Sequence, residues 1–148
     1  MKSAKLLRQF SVMVLALLYS IDVSYGQSQT FTSSGTFTVP PGVTTIIVEC
    51  WGGGGAGGGS SASKVRGGGG GAGGAYAKKT LLVKPDTTYT VTVGAAIIGT
   101  TSAGGNGNPS WFGTTSTVYA QGGGGGAAPN GGTVLGGIGS AALSIGDL

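Results

Sequence analysis

The segment TTIIVECWGGGGAGGG, residues 44–59, joins a β-strand pattern to a run of glycine. Its first half is rich in β-branched residues, which favour strands. Because alternate side chains of a strand point to opposite faces, two sets are expected to separate. These sets are Ile46, Val48 and Cys50 on one face, and Ile47, Glu49 and Trp51 on the other. The strand is predicted to end at Trp51, where the glycine run begins.

Similar strand patterns recur along the chain. They cover residues 30–39, 44–51, 75–83, 88–93 and 114–120. Pro40-Pro41-Gly42 ends the first pattern, because proline cannot donate to a sheet ladder. Lys84-Pro85-Asp86-Thr87 is a turn signal ahead of a strand that alternates cleanly. No stretch beyond residue 26 has a helical period, so the sequence predicts an all-β fold.

Glycine runs separate these strands, at residues 52–59, 67–74 and 122–126, with a looser stretch through residue 139. The chain has 34 glycines in 148 residues, about threefold above average usage. Such runs can adopt either of two arrangements. They form flexible linkers, or they lie side by side as extended, polyproline-II-like segments whose backbone groups bond to neighbouring runs. The composition leaves both open, and in the packed form the strands would have to hold the ends of each run.

The first 26 residues have the pattern of a signal peptide. Lys2, Lys5 and Arg8 precede the apolar stretch FSVMVLALL at residues 10–18, which is shorter than the roughly 20 residues of a membrane-spanning helix. Ser24 and Gly26 are small residues at the −3 and −1 positions, which predicts cleavage between Gly26 and Gln27. We therefore expect export to the medium or the cell surface. The mature part, residues 27–148, is expected to form one glycine-rich β domain without a membrane span.

Few charges remain after that cleavage. The mature chain has five basic and three acidic residues, a net charge of +2. A nucleic-acid-binding face needs clustered basic residues, so no nucleic acid partner is expected. Cys50 is the one cysteine, which excludes an intramolecular disulfide. It is predicted to be a small buried residue of its strand.

The chain lacks the residues that most catalytic and metal sites require. It has no histidine, the usual general base and the commonest metal ligand. The mature chain has three carboxylates, on a predicted strand, a turn and the C-terminus: Glu49, Asp86 and Asp147. The GxGxxG pattern of dinucleotide-binding proteins matches any long glycine run, so its matches here do not indicate a nucleotide site. The phosphate-binding loop GxxxxGK[ST] is absent, because no glycine of the chain is followed directly by lysine. We expect no enzymatic activity, no cofactor and no metal site.

The order of segments resembles the glycine-rich domain of bacterial surface and phage tail or adhesin proteins, which is related to a region of anaplastic-lymphoma-type receptor kinases. The similarity rests on TFTVPPGVTTIIVECWGGGG (36–55), YTVTVG (89–94) and SWFG (110–113). It implies a jelly-roll-like β-sandwich whose glycine loops pack as a polyproline-II bundle. The family closes with a late hydrophobic strand, whereas this chain ends in SAALSIGDL. An unclosed sheet edge would favour self-association.

These features favour a structural or adhesive module at the cell surface or in the extracellular matrix. Alternatives are a carbohydrate- or receptor-binding adhesin domain and an ice-binding protein, which would need a regular threonine or alanine array. The partner is unknown, with self-association or a surface glycan or receptor as options. Aromatic residues carry much contact energy. Tyr76, Trp111 and Phe112 are therefore the candidate contact residues, with core packing as their alternative role.

Overall fold

A computed structural model of the chain describes residues 26–59, 67–95, 97–99, 102–129, 136–137 and 144–147. The chain divides into two units, residues 1–30 and 31–148. In the first unit, residues 26–30 are described and are exposed, without secondary structure. The predicted signal peptide core lies outside the described residues, so its role stays a prediction. The described strands all belong to the second unit.

The second unit contains six β-strands arranged as two antiparallel sheets. The strands are β1 (Gly35–Thr38), β2 (Thr45–Trp51), β3 (Tyr76–Leu82), β4 (Thr88–Thr92), β5 (Ser110–Phe112) and β6 (Val118–Ala120). One sheet has the order β1-β4-β5-β6, and the other is the hairpin β2-β3. The described residues include no helix, and the all-β prediction is confirmed. The jelly-roll connectivity stays a prediction, because a jelly roll has eight strands in two Greek keys.

The core contains side chains from both sheets. Phe112 is 5% exposed, and its ring lies 5.0 Å from Tyr89 and 6.0 Å from Phe37. The two-stranded sheet contributes Cys50 and Ala77 to the same cluster. The predicted division of β2 is confirmed, because Ile46, Val48 and Cys50 point inward while their neighbours are exposed. Burial also raises the pKa of the Cys50 thiol.

Three strands differ from the sequence prediction. The first, predicted over residues 30–39, is a strand only at Gly35–Thr38. The run 114–120 is a strand only from Val118, because Gly113 has a φ of 70° and the residues after it form a turn. In that turn Thr117 donates its N–H to the Thr114 carbonyl at 3.0 Å, and the Thr114 and Thr117 hydroxyl oxygens lie 2.9 Å apart. Such local side-chain bonds compete with strand formation. The three-residue β5 before this turn was too short to be predicted.

Four glycine-rich segments form a bundle at the end of the sheets. They are run A (52–59), run B (67–75), run C (102–108) and run D (121–127). Gly52, Gly55 and Gly58 of run A donate N–H bonds to run B at 2.8 Å. The next residue in each triplet, at 53, 56 and 59, donates to run C at 2.8–2.9 Å. This three-residue repeat is that of polyproline II, so the packed arrangement of the glycine runs is confirmed.

Runs A and D are central, because each bonds to the other three. Run B donates to run D from residues 69, 72 and 75, and run C donates to run D from residues 104 and 107. Run D in turn donates to run A from Gly123 and Gly126 at 2.9 Å. The paired residue numbers show that A and D are parallel to each other and that B and C are antiparallel to both. Every run thus has neighbours on at least two sides.

Each hairpin continues from sheet into bundle without a change of register. Trp51 faces Tyr76 as the last pair of β2 and β3, and the next bond joins the Gly52 N–H to the Ala75 carbonyl. Runs C and D likewise continue the register of β5 and β6. The strands therefore align the glycine runs, and only the periodicity changes, from two residues to three.

The runs approach so closely that specific positions accept no side chain. In run A, a Cβ atom at Gly52, Gly55 or Gly58 would overlap a carbonyl group of run D. The corresponding positions in the other runs are Gly68, Gly71, Gly74, Gly104, Gly107, Gly122, Gly123, Gly125 and Gly126. The alanines of the runs fall outside these positions, at Ala56, Ala72, Ala75, Ala103 and Ala127. Glycine is thus required at one position in three, and at two in three in run D.

The C-terminal residues lie against both sheets. Tyr119 and Ile145 exchange two backbone hydrogen bonds of 3.0 and 2.8 Å, which form a single bridge beside β6. A Cβ atom on Gly146 would lie 2.6 Å from the Lys78 carbonyl oxygen of β3. Among the described residues, this bridge is the only part of the late strand that the resemblance implies. Residues 138–143 lie outside the described residues.

Amide hydrogen exchange should show a period of three within run A. The N–H groups at positions 52, 53, 55, 56, 58 and 59 donate to other runs, whereas no backbone bond is found in the described structure for Gly54 or Gly57. We expect slow exchange at the first set and fast exchange at Gly54 and Gly57, measured by NMR. Uniform exchange at random-coil rates would contradict the bundle.

Two neighbouring glycines provide a matched pair of substitutions. Gly55→Ala places a methyl group on the Gly124 carbonyl, whereas the nearest atom to a Cβ at Gly54 is the Ala72 carbonyl oxygen, at 3.6 Å. We expect Gly55→Ala to lower the free energy of unfolding by about 2 kcal/mol or more. Gly54→Ala should change it by less than about 0.5 kcal/mol. Urea unfolding of both variants checks this, and equal effects would show that the runs are not closely packed.

Candidate binding face on the β2–β3 hairpin

The structure separates the three candidate contact residues. Tyr76 is 39% exposed on the outer side of β3. Trp111 is half-buried on the outer side of the other sheet, with its ring 6.4 Å from that of Tyr119. Phe112, the next residue on β5, points inward and is a core residue. Alternation along β5 thus makes Phe112 unavailable for surface contact, and Tyr76 and Trp111 lie on opposite sheets.

A continuous exposed surface covers the outer side of the two-stranded sheet. We call it the hairpin face, and it consists of the cross-strand pairs Thr45–Leu82, Ile47–Thr80, Glu49–Lys78 and Trp51–Tyr76. All eight residues are exposed. Leu82, Ile47 and Trp51 are 88%, 64% and 62% exposed, although large apolar side chains usually pack inside. Contiguous exposed apolar surface marks interaction sites more often than isolated residues do.

The aromatic end of the hairpin face has a defined geometry. The Trp51 and Tyr76 rings lie 5.3 Å apart and are inclined by 46°, within the usual range for aromatic pairs. This pair is the last of the hairpin before the bundle begins. The Gly52 N–H to Ala75 carbonyl bond of 2.8 Å joins the two adjacent residues. The bundle therefore holds the backbone that carries both rings.

An ion pair lies beside the aromatic pair. The Lys78 Nζ is 3.1 Å from Glu49 Oε1, and both side chains are partly exposed. Hydrogen bonds from Lys78 and from Tyr76 hold the pKa of the Glu49 carboxyl below its usual value. Desolvation, together with the bond to Glu49, raises the pKa of the Tyr76 phenol. The same carboxylate bond raises the pKa of Lys78. The Glu49 carboxylate thus accepts hydrogen bonds from two side chains of β3, those of Lys78 and Tyr76.

Sequence reasoning placed Ile47, Glu49 and Trp51 on one face of β2 but did not select them as contact residues. The hairpin face could have been predicted from the alternation of β3, that is, from which of its residues point inward. Register pairs Cys50 with Ala77 on the inside, which places Tyr76 and Lys78 outside, opposite Trp51 and Glu49. The pairing partner of β2 was not predictable from periodicity alone.

The other sheet presents a row of threonines on its outer side. Thr36 faces Thr90, and Thr38 faces Thr88, with 3.0 Å between the Thr38 and Thr88 hydroxyl oxygens. These four are exposed, and Thr92 continues the row as a half-buried residue. We call this set the threonine face. It borders Trp111 and Tyr119 on the same sheet.

The described residues contain no group of three potential metal-binding side chains of the His, Cys, Asp or Glu type. Across the same residues, the structure has no helix with the length and apolar character needed to cross a bilayer.

Removal of Lys78 should raise the pKa of Glu49. Glu49 is the one glutamate of the chain, so selective ¹³C labelling of glutamate provides a single carboxyl NMR signal to titrate. We expect a lowered pKa in the native chain and a pKa closer to the usual value in Lys78→Met. Any stabilisation from the pair is present above the pKa of unfolded glutamate and is lost as pH falls through the lowered folded pKa. Lys84→Met is the control, and an equal shift there would contradict a specific pair.

Comparison with protein-family models relates nearly all of the second unit to one family. The family model described as "Glycine-rich domain" matches residues 30–146, which include all six strands and the four runs. No curated protein matches the chain, and no solved structure does. With most of its length matched, the chain belongs to the glycine-rich domain family.

Proposed function

We propose that the chain is an exported, non-enzymatic adhesive module, which attaches through its hairpin face to the cell surface or the extracellular matrix. The observation that carries this proposal is the exposure of Ile47, Trp51 and Leu82 along one face of the two-stranded sheet. Complete burial of such side chains is worth about 1.5–3 kcal/mol each. A partner that covers them would gain part of that free energy.

The bundle supports this role because it is a rigid and chemically inert base. Its four runs contact one another through backbone hydrogen bonds of 2.8–2.9 Å, and they present few side chains for unspecific binding. Ordered support for both aromatic residues lowers the entropy that binding must overcome. The signal peptide pattern of residues 1–26 and the lack of histidine favour an exported module without catalysis.

The threonine face supports ice binding as a second candidate function. Threonines 36, 38, 88 and 90 form a two-by-two array on neighbouring strands, which is the regularity that such a surface needs. An ice-recrystallisation assay separates the candidates. Inhibition that disappears in Thr90→Lys would favour ice binding, whereas the adhesive proposal requires no inhibition.

The adhesive proposal is tested by producing the full chain in cells and separating medium, washed cells and cytoplasm. We expect the exported protein to begin at Gln27, by mass spectrometry, and a fraction of it to remain on the washed cells. Leu82→Ser and Trp51→Ser should reduce that retained fraction severalfold, because each removes exposed apolar contact area.

Ile98→Ser is the matched control, because Ile98 is 87% exposed, as Leu82 is 88% exposed, but lies outside the hairpin face. It should leave retention unchanged. Recovery of the uncleaved chain in the cytoplasm, or equal retention of all variants, would overturn the proposal.

A further inference from the structure

We propose that the Trp51–Tyr76 end of the hairpin face binds a neutral saccharide. This inference rests on the proposed adhesive function and names the chemistry of its ligand. It follows from three properties of the face: an exposed indole, a compensated ion pair beside it, and a small area.

The exposed indole suits the apolar side of a sugar ring. A pyranose presents C–H groups on its faces, and their partial positive charge is attracted to the negative face of an aromatic ring. Trp51 is 62% exposed, and Tyr76 borders it at an inclination of 46°. One sugar ring can therefore stack on the indole while the phenol contacts its edge.

The polar groups beside the indole match hydroxyl groups. Glu49 and Lys78 occupy the next outward pair along the hairpin, about 7 Å from the aromatic pair. Glu49 accepts bonds from Lys78 and Tyr76, which leaves further acceptor capacity on a carboxylate with about four lone-pair sites. Lys78 has three N–H donors. Neighbouring sugar hydroxyls can donate to Glu49 and accept from Lys78.

The charges of the face favour a neutral ligand. Glu49 and Lys78 are 3.1 Å apart and cancel each other, and the other six residues of the face are uncharged. An anionic ligand would meet the Glu49 carboxylate, and a cationic one would meet the Lys78 ammonium. Neither ion gains a net electrostatic attraction at this site.

The hairpin face is too small for a stable protein partner. It consists of eight residues in four cross-strand pairs, whereas stable protein interfaces use about 20–30 residues on each partner. A second copy of this chain would be held weakly by the hairpin face alone, whereas a short saccharide fits within it.

The test uses the exported chain, labelled with ¹⁵N, and follows its two tryptophan indole N–H signals by NMR. The neutral probes are cellohexaose, hexa-N-acetylchitohexaose and mannohexaose, and hexagalacturonate is the anionic comparison. We expect at least one neutral probe to shift the Trp51 indole and the amides of Glu49 and Lys78. The Trp111 indole, on the other sheet, should not shift and serves as an internal control.

Variants separate stacking from general surface effects. Trp51→Ala should weaken the binding of that probe about tenfold or more, and Glu49→Gln severalfold, while Ile98→Ser leaves it unchanged. Trp51 and Glu49 are both exposed, so in these variants the amide signals of residues outside the hairpin face should stay as in the native chain.

Four results would overturn the saccharide inference. They are no Trp51 shift with any neutral probe, equal shifts of Trp51 and Trp111, tighter binding of hexagalacturonate, and dimer formation that Trp51→Ala abolishes. If such a result occurs while Leu82→Ser still reduces retention on cells, the adhesive function stands and its ligand is not a neutral saccharide. Saccharide binding without any retention on cells overturns the adhesive function instead.

Discussion

The backbone hydrogen bonds between the glycine runs are the interaction on which the rest of the structure depends. They form because the runs approach within 2.8–2.9 Å from nitrogen to oxygen, so closely that at one or two positions in three a Cβ atom would overlap a neighbouring carbonyl. Ordering a residue costs about 1–2 kcal/mol of backbone entropy, and a hydrogen bond contributes about 1 kcal/mol net. Because run A bonds through two N–H groups in every three, the bundle alone does not offset its ordering cost. The sheets must supply the difference.

The sheets stabilise the bundle in two ways: they bury apolar side chains, and they align the ends of the glycine runs. Their core is small, with Phe112 packed against Tyr89 and Phe37 and closed by Cys50 and Ala77. Both hairpins carry their strand register into the bundle, so that the pairing of Trp51 with Tyr76 fixes the pairing of Gly52 with Ala75. Each run then begins with one end already in place. The sheet contacts lower the entropic cost of bringing the runs together. The bundle therefore depends on the sheets.

The same arrangement leaves most of the large exposed side chains of the described residues on the outer sides of the strands. The described part of the bundle is mostly glycine and alanine, and the inner sides of both sheets form the core. The outer sides of β2 and β3 carry an aromatic pair, an ion pair and exposed aliphatic residues, while those of β1 and β4 carry threonines. The two faces differ chemically, which is why each supports a different proposed function.

The sequence by itself determined the all-β class, the strands around residues 44–51, 75–83 and 88–93, and the inward set Ile46, Val48 and Cys50, because these follow from local propensity and alternation. It also allowed the glycine runs to be interpreted as packed segments. Only the tertiary structure decided which run lies beside which, since a glycine run has no side-chain pattern to define its neighbours. It also placed Phe112 in the core and paired Trp51 with Tyr76. Those choices depend on cross-strand register, which joins residues far apart in sequence and is therefore not encoded in any local pattern.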